Sequence, residues 1–255
     1  VPPRCVLITG ATGAIGGALA LEYARAGSQT VILQGRNSAR LWALAHACAA
    51  HGARVITRVL DVRDAAALRA WLAQVSSAET PDLVIACAGI NIHADAGQVL
   101  EPWEDVQRLV DVNIRAVLAT ADGVLPAMRA RRKGQIALIG SLAAWRGLPQ
   151  TPAYCASKAA IKVYGEALRD ALADSGVCVS VVLPGYVAST MCAAMPGPKP
   201  FVWSPARAAR AIRRGLHARR ARIGFPWPLY WGCFLLAGLP PWLSARILRW
   251  LGHRA

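Results

Sequence analysis

Residues 9–16 read Thr9-Gly10-Ala11-Thr12-Gly13-Ala14-Ile15-Gly16. This glycine-rich turn lies between a short apolar, β-prone run, Val6 to Thr9, and an apolar-periodic stretch, Ile15 to Ala26, that stops at Gly27. Strand, glycine turn and helix in that order let the backbone approach a pyrophosphate and bring a helix N-terminus to its charge. The alternation continues outward from there. Thr30 to Leu33, Arg54 to Leu60, Leu83 to Ala86, Gln135 to Gly140 and Val177 to Leu183 read as strands. Ser38 to Ala50, Ala65 to Val75, Trp103 to Ala130 and Ala153 to Ala173 read as the helices between them. Short, almost wholly apolar strands separated by helices belong in a parallel sheet covered on both faces, so the expected class is α/β with a doubly wound parallel sheet.

Composition sets limits on the rest. At 255 residues, 55% hydrophobic and 17% charged, the chain suits one single-core domain and excludes a disordered polymer. The seven cysteines are scattered with no C-x-x-C pair, which reads as reduced thiols and neither a disulfide scaffold nor a metal site. With no charged-then-apolar leader visible, a cytoplasmic location is expected.

Three features carry chemistry. The second strand ends Gln34-Gly35-Arg36, and no Asp or Glu occurs between Glu22 and Asp61. An acidic side chain there would accept from a ribose 2′-hydroxyl, whereas the Arg36 guanidinium suits a 2′-phosphate, so the reading is NADP(H) over NAD(H). Tyr154 and Lys158 are four residues apart on one helix face, close enough for an ammonium to stabilise a tyrosinate. Ser141 follows the fifth strand.

Together these motifs resemble the short-chain dehydrogenase/reductases, a family with the Rossmann fold, over about Val6 to Met191. The resemblance implies that Gly10, Thr12, Gly13, Ile15 and Gly16 cradle the cofactor with Arg36, and that Asp61-Val62 hold its adenine. It implies that Ala88-Gly89 line the cleft and that Pro184, Gly185, Val187 and Ser189 sit by the nicotinamide. Asn113, Ser141, Tyr154 and Lys158 look like the family's catalytic tetrad. Ser141 would orient the substrate oxygen, Tyr154 would donate its proton, Lys158 would depress the tyrosine pKa and hold the nicotinamide ribose, and Asn113 would fix a relay water. Two departures stand out. Ala14 replaces a usual glycine, with Gly13 one place earlier, a spacing closer to sugar-nucleotide-modifying members; Ala86-Cys87-Ala88-Gly89 replaces the frequent Asn-Asn-Ala-Gly.

The C-terminal end differs in charge and hydropathy. Of the formal +15, the residues from Ser175 onward contribute +11, with eleven Lys or Arg and no acid, while the first 174 residues stand at +4. Residues 192–222 read as a lid, Ala193 to Trp203 with Pro196, followed by a helix from Pro205 to Ala218. Residues 223–255 read as an apolar and basic extension. Its uncharged run of 23 residues, Ile223 to Ala245, is cut by Pro226, Pro228 and Pro240-Pro241, leaving Leu229 to Leu239 as unbroken helix, too short to span a bilayer. Trp203, Trp227, Trp231, Trp242 and Trp250 lie among the arginines. A hairpin dipping into the anionic cytoplasmic leaflet of an inner membrane, engaging residues 207–255, is therefore expected, with core or homo-oligomer contact as the alternative. Alternating Arg and apolar residues without a recognition motif argue against nucleic acid. The expected activity is NADPH-dependent reduction of a ketone, a 3-oxo group, on a small lipophilic substrate. A membrane-associated NADP-binding sensor and a sugar-nucleotide-modifying enzyme are the alternatives.

Overall fold

Val6, Ile8, Val31 and Leu33 face one side of the sheet while Leu7 and Ile32 face the other, and all six are buried, the period-two signature of strands covered twice. The computed structural model describes residues 1–94, 98, 100–195 and 197–252. Its strands are β1 (Cys5–Thr9), β2 (Thr30–Gly35), β3 (Arg54–Val59), β4 (Leu83–Ala86), β5 (Gly134–Ile139), β6 (Val177–Pro184) and β7 (Arg222–Phe225). All pairings are parallel, in the order β3-β2-β1-β4-β5-β6-β7. The doubly wound sheet expected from the sequence is therefore the fold.

The first face is covered by α1 (Ala14–Arg25), α2 (Ser38–Ala49) and α8 (Pro205–His217), through Leu19, Tyr23, Leu41, Ile212 and Leu216. The second is covered by α3 (Ala65–Ala78), α5 (Ala116–Ala130) and α6 (Pro152–Ala171), through Leu68, Leu72, Val117, Val124, Met128 and Ile161. Burying a side chain of this kind contributes roughly 1.5–3 kcal/mol, so the two apolar layers dominate the fold's stability. The stretch read as one long helix consists of α4 (Trp103–Val110), a π-helical turn (Asp111–Arg115) and α5. A short helix, α7 (Thr190–Ala194), follows β6.

One expectation is corrected. Ile223 to Phe225, read as the start of a membrane-dipping hairpin, form β7, in register with Val182 to Pro184 of β6. A strand beside β6 satisfies the backbone there and buries Ile223 and Phe225. The remaining apolar run makes α9 (Trp227–Gly238) and α10 (Pro241–Trp250), bounded by the predicted prolines. Among the described residues no helix is long and apolar enough to cross a membrane. Pro196 of the expected lid and residues 253–255, with Arg254, lie outside the described residues.

Candidate active site

The strand order reverses between β1 and β4, and a crevice opens at the carboxyl ends of these strands. Gly10 leaves β1 with φ +64°, and a Cβ there would lie 2.6 Å from the Ala88 backbone. A Cβ on Gly16 would come within 2.5 Å of the Gly10 carbonyl oxygen, so the first and third glycines are required by close backbone approach. At Gly13 the nearest atom would be 3.3 Å away, a looser fit, and the neighbouring Ala14 lines the cleft. The N-terminus of α1 has no side-chain cap and no acid in its first turn, leaving its N–H groups and positive dipole end for an anion. Gln34 holds the turn in place: its Oε1 accepts from Gly10 N at 2.9 Å and its Nε2 donates to Leu60 O at 2.6 Å. Nothing about a glutamine at a strand end signals this in the sequence.

Arg36 extends from the end of β2 with its side chain largely exposed, 3.9 Å from the Asp61 carboxylate. Asp61 is engaged chiefly by Arg63, at 2.7 Å, and the Arg63 hydrogen bond holds its carboxyl below the usual range. The strand end that lacks the family's frequent asparagines is tied instead by the Thr9 hydroxyl, which accepts from Cys87 N at 3.2 Å.

Ser141 follows β5 in extended conformation, and its Oγ accepts from Ala143 N at 3.1 Å. Tyr154 sits in the first turn of α6, opened by Pro152, and is hydrogen-bonded to the Ser141 side chain. Lys158 lies one turn on, only 4% exposed, with Nζ 5.7 Å from the Tyr154 ring centroid and donating to Ile139 O at 3.1 Å. Burial pushes Tyr154 up to about 12, against the Ser141 hydrogen bond, and pushes Lys158 down to about 8. Desolvation is the first cause of both shifts.

Asn113 lies in the π-helical turn behind the cleft and is fully buried. Its Oδ1 accepts from Ile90 N at 2.8 Å, and its Nδ2 donates to Ile90 O at 2.9 Å and Ser157 Oγ at 3.1 Å. Single π turns inside helices occur frequently at functional sites. A Cβ on Gly89 would lie 3.3 Å from Lys158 Nζ and 3.4 Å from Asn113 Oδ1, so the fourth strand end, Asn113 and Lys158 meet at one point.

One cleft of about 730 Å³ joins these parts. Every expected cofactor residue lines it: Gly10, Thr12, Gly13, Ile15, Gly16, Arg36, Asp61, Val62, Ala88, Gly89, Pro184, Gly185, Val187 and Ser189, together with Ser141, Tyr154 and Lys158. Tyr186, within the Pro184 to Val187 motif, lines it as well; the sequence reading missed Ile90 and Arg146, and the inner face of α9 and α10, where Leu229, Cys233, Leu236 and Leu248 complete an apolar half. Cys87 and Cys233 also line it, and burial pushes these thiols up to about 12 and about 11, away from nucleophilic thiolates. A phosphate-binding turn with an uncapped helix, an exposed arginine at the end of β2 and an apolar chamber fit a nicotinamide dinucleotide at one end and a hydrophobic compound at the other.

Comparison with known proteins agrees. The short chain dehydrogenase family model matches residues 4–197. An uncharacterized oxidoreductase of Myxococcus xanthus is 37% identical over 227 residues, 89% of this chain and 88% of that protein. The ketoacyl reductase HetN of Nostoc sp. is 32% identical over 188 residues, 73% of this chain and 64% of its own length. A short-chain dehydrogenase of Sphingobium yanoikuyae in complex with NADPH superposes with a TM-score of 0.81 at 26% identity, covering 93% of this chain and 97% of its own.

Proposed function

This chain belongs to the short-chain dehydrogenase family of oxidoreductases, and from that premise we propose that it is an NADPH-dependent reductase of a ketone on a lipophilic substrate. The observation that carries the reading is the position of Tyr154 and Ser141 where the phosphate-binding half of the cleft meets its apolar half. In this proposal Gly10 to Gly16 and the N-terminus of α1 hold the pyrophosphate, Arg36 the 2′-phosphate, and Asp61 and Val62 the adenine. Ala88, Gly89, Pro184, Gly185, Val187 and Ser189 wall the nicotinamide end. The bound cofactor supplies hydride to the carbonyl carbon. Ser141 Oγ and Tyr154 OH hydrogen-bond the carbonyl oxygen, and Tyr154 gives it a proton, so ketone plus hydride plus proton become a secondary alcohol. With burial holding Tyr154 near about 12, it is protonated at neutral pH, the state that reduction requires. Lys158 orients the nicotinamide ribose, and Asn113 holds the loop at Ile90 while serving proton resupply.

The apolar chamber favours an acyl chain or a steroid-like ring system, and the name of the ketoacyl reductase relative favours a 3-oxo group. In this proposal the cofactor and catalytic parts belong to residues 1–191, α7 and the inner faces of α9 and α10 close the substrate end, and α8 and β7 complete the sheet. Trp227, Trp231, Leu235, Trp242 and Trp250 are exposed beside Arg246 and Arg249, and no acid follows Asp174, so the proposed partner of this outer face is an anionic membrane surface on the cytoplasmic side.

The test is NADPH oxidation against ketones of increasing chain length in detergent, with Tyr154→Phe as control. Turnover that rises with chain length and vanishes in the variant supports the reading. NADPH binding with no ketone reduced refutes it in favour of a sensor. Flotation on anionic vesicles, lost when Trp227, Trp231 and Trp242 become serine, tests the outer face; retained flotation, or a dimer dissociated by the same changes, refutes it. Point changes serve here because truncation at Arg222 would remove β7.

A further inference from the structure

We infer that Arg146 is an anion-reading subsite of the cleft, so that the substrate is an amphiphile carrying a carboxylate or phosphate as well as its ketone. This rests on the reductase reading and deepens it. The charged side chains lining the cleft are Arg36, Asp61, Arg146 and Lys158. Arg36 and Asp61 belong to the phosphate-binding end, and Lys158 is turned to the Ile139 carbonyl. Arg146 is thus the one charge among the described residues on the half walled by α9 and α10.

Its setting is built. The chain reaches it from Ser141 through a 3₁₀ turn, Leu142–Ala144. The half-buried guanidinium is fixed by Nε donating to Ser244 Oγ at 3.1 Å, and Ser244, itself 1% exposed, donates onward to Pro241 O at 3.1 Å. Nη1 donates to Gly147 O at 3.3 Å, and Nη2 makes no hydrogen bond to a described residue. Other arginines around the fold, such as Arg63, Arg213 and Arg222, find carboxylates at 2.6–2.8 Å. No described carboxylate lies within ion-pair distance of Arg146. A half-buried cation among apolar side chains without a counter-ion is unfavourable, and a planar fork with donors to spare is suited to an oxyanion. An apolar chamber with one such cation selects an anionic amphiphile over a neutral one.

The intrinsic fluorescence of the full chain, with Trp145 adjacent to the subsite, reads binding without turnover. Laurate and dodecyl phosphate are expected to bind about tenfold or more tightly than methyl laurate, the scale of one charge-assisted contact. Arg146→Gln should erase that ratio and Arg146→Lys should keep part of it. Ser244→Ala, which loosens α10 in the same way as losing the arginine but keeps its charge, should lower the melting temperature and reduce the ratio without erasing it. A methyl ester that binds wild type as well as laurate does, or an Arg146→Gln variant that keeps the preference, overturns the subsite. The stronger of the two anions identifies the headgroup. Anion preference in a protein that reduces no ketone sinks the reductase reading alone, and reduction of neutral ketones without anion preference sinks the subsite alone.

Discussion

Replacing Lys158 with methionine should relieve a destabilising charge while abolishing reduction, and the pH dependence of that relief is the sharper test. Lys158 is 4% exposed, and burial lowers its pKa to about 8 from the ordinary 10.5. At ~1.36 kcal/mol per unit, holding the ammonium in the folded state costs ~3 kcal/mol at neutral pH. Methionine removes that penalty and loses the hydrogen bond to the Ile139 carbonyl, worth about 1–3 kcal/mol, so the net effect near pH 7 is small and stabilising. The sign with pH is fixed by linkage. Below the folded value of about 8 both states hold the proton and the wild type carries the full penalty. Between there and the unfolded value the unfolded chain binds a proton that the folded chain has released, so wild-type stability rises with pH.

The variant has no such term. Urea melts at pH ~7 and pH ~9.5 should therefore show the variant's advantage over wild type shrinking by ~2 kcal/mol. A difference between the two proteins that is the same at both pH values would refute the argument that Lys158 is held as a desolvated ammonium.

Tyr154→Phe should lower kcat by about 10²–10⁴ while leaving NADPH affinity, read by fluorescence, unchanged; an intact kcat removes Tyr154 as proton donor. Arg36→Ala should weaken NADPH binding by about tenfold or more and leave NADH binding unaltered, because one charge-assisted contact is lost; equal losses for both cofactors would place Arg36 elsewhere. Gly16→Val, whose Cβ would lie 2.5 Å from the Gly10 carbonyl oxygen, should abolish cofactor binding by displacing the turn, and isothermal titration would reveal retained affinity. Alcohol oxidation needs the tyrosinate, so with Tyr154 near about 12 its rate should climb through the alkaline range while ketone reduction stays flat from about pH 6 to pH 8.

What could be read from the sequence was what local periodicity encodes. The Gly10–Gly16 turn, the Tyr154–Lys158 spacing and the strand ends at Ala88 and Pro184 are fixed by neighbours within a few residues, and the structure gathers them at one cleft. β7 was hidden because its identity is non-local. Ile223-Gly224-Phe225 is short, ends at a proline and continues into an uncharged helix, and only pairing with Val182 to Pro184 distinguishes it from the apolar run. Gly224 is open to Tyr230, whose ring would collide with a Cβ, a contact no local pattern announces. The π turn at Asn113 is equally silent, since a shift from i+4 to i+5 bonding leaves the apolar pattern of the helix intact.

The protonation of the proposed donor and the cost of the neighbouring ammonium follow from one physical cause. Tyr154 and Lys158 are buried together in the wall of the cleft whose apolar half α9 and α10 complete. The same desolvation that keeps the phenol protonated, and so able to donate, works against the ammonium. A change that admits water, such as trimming Leu236 or Leu248, should move the two pKa values toward each other's ordinary order, the tyrosine down and the lysine up. Oxidation would then gain at moderate pH while reduction lost its donor. Burial thus sets the pH range in which each direction runs, and the proposed direction itself rests on the cofactor preference inferred from Arg36.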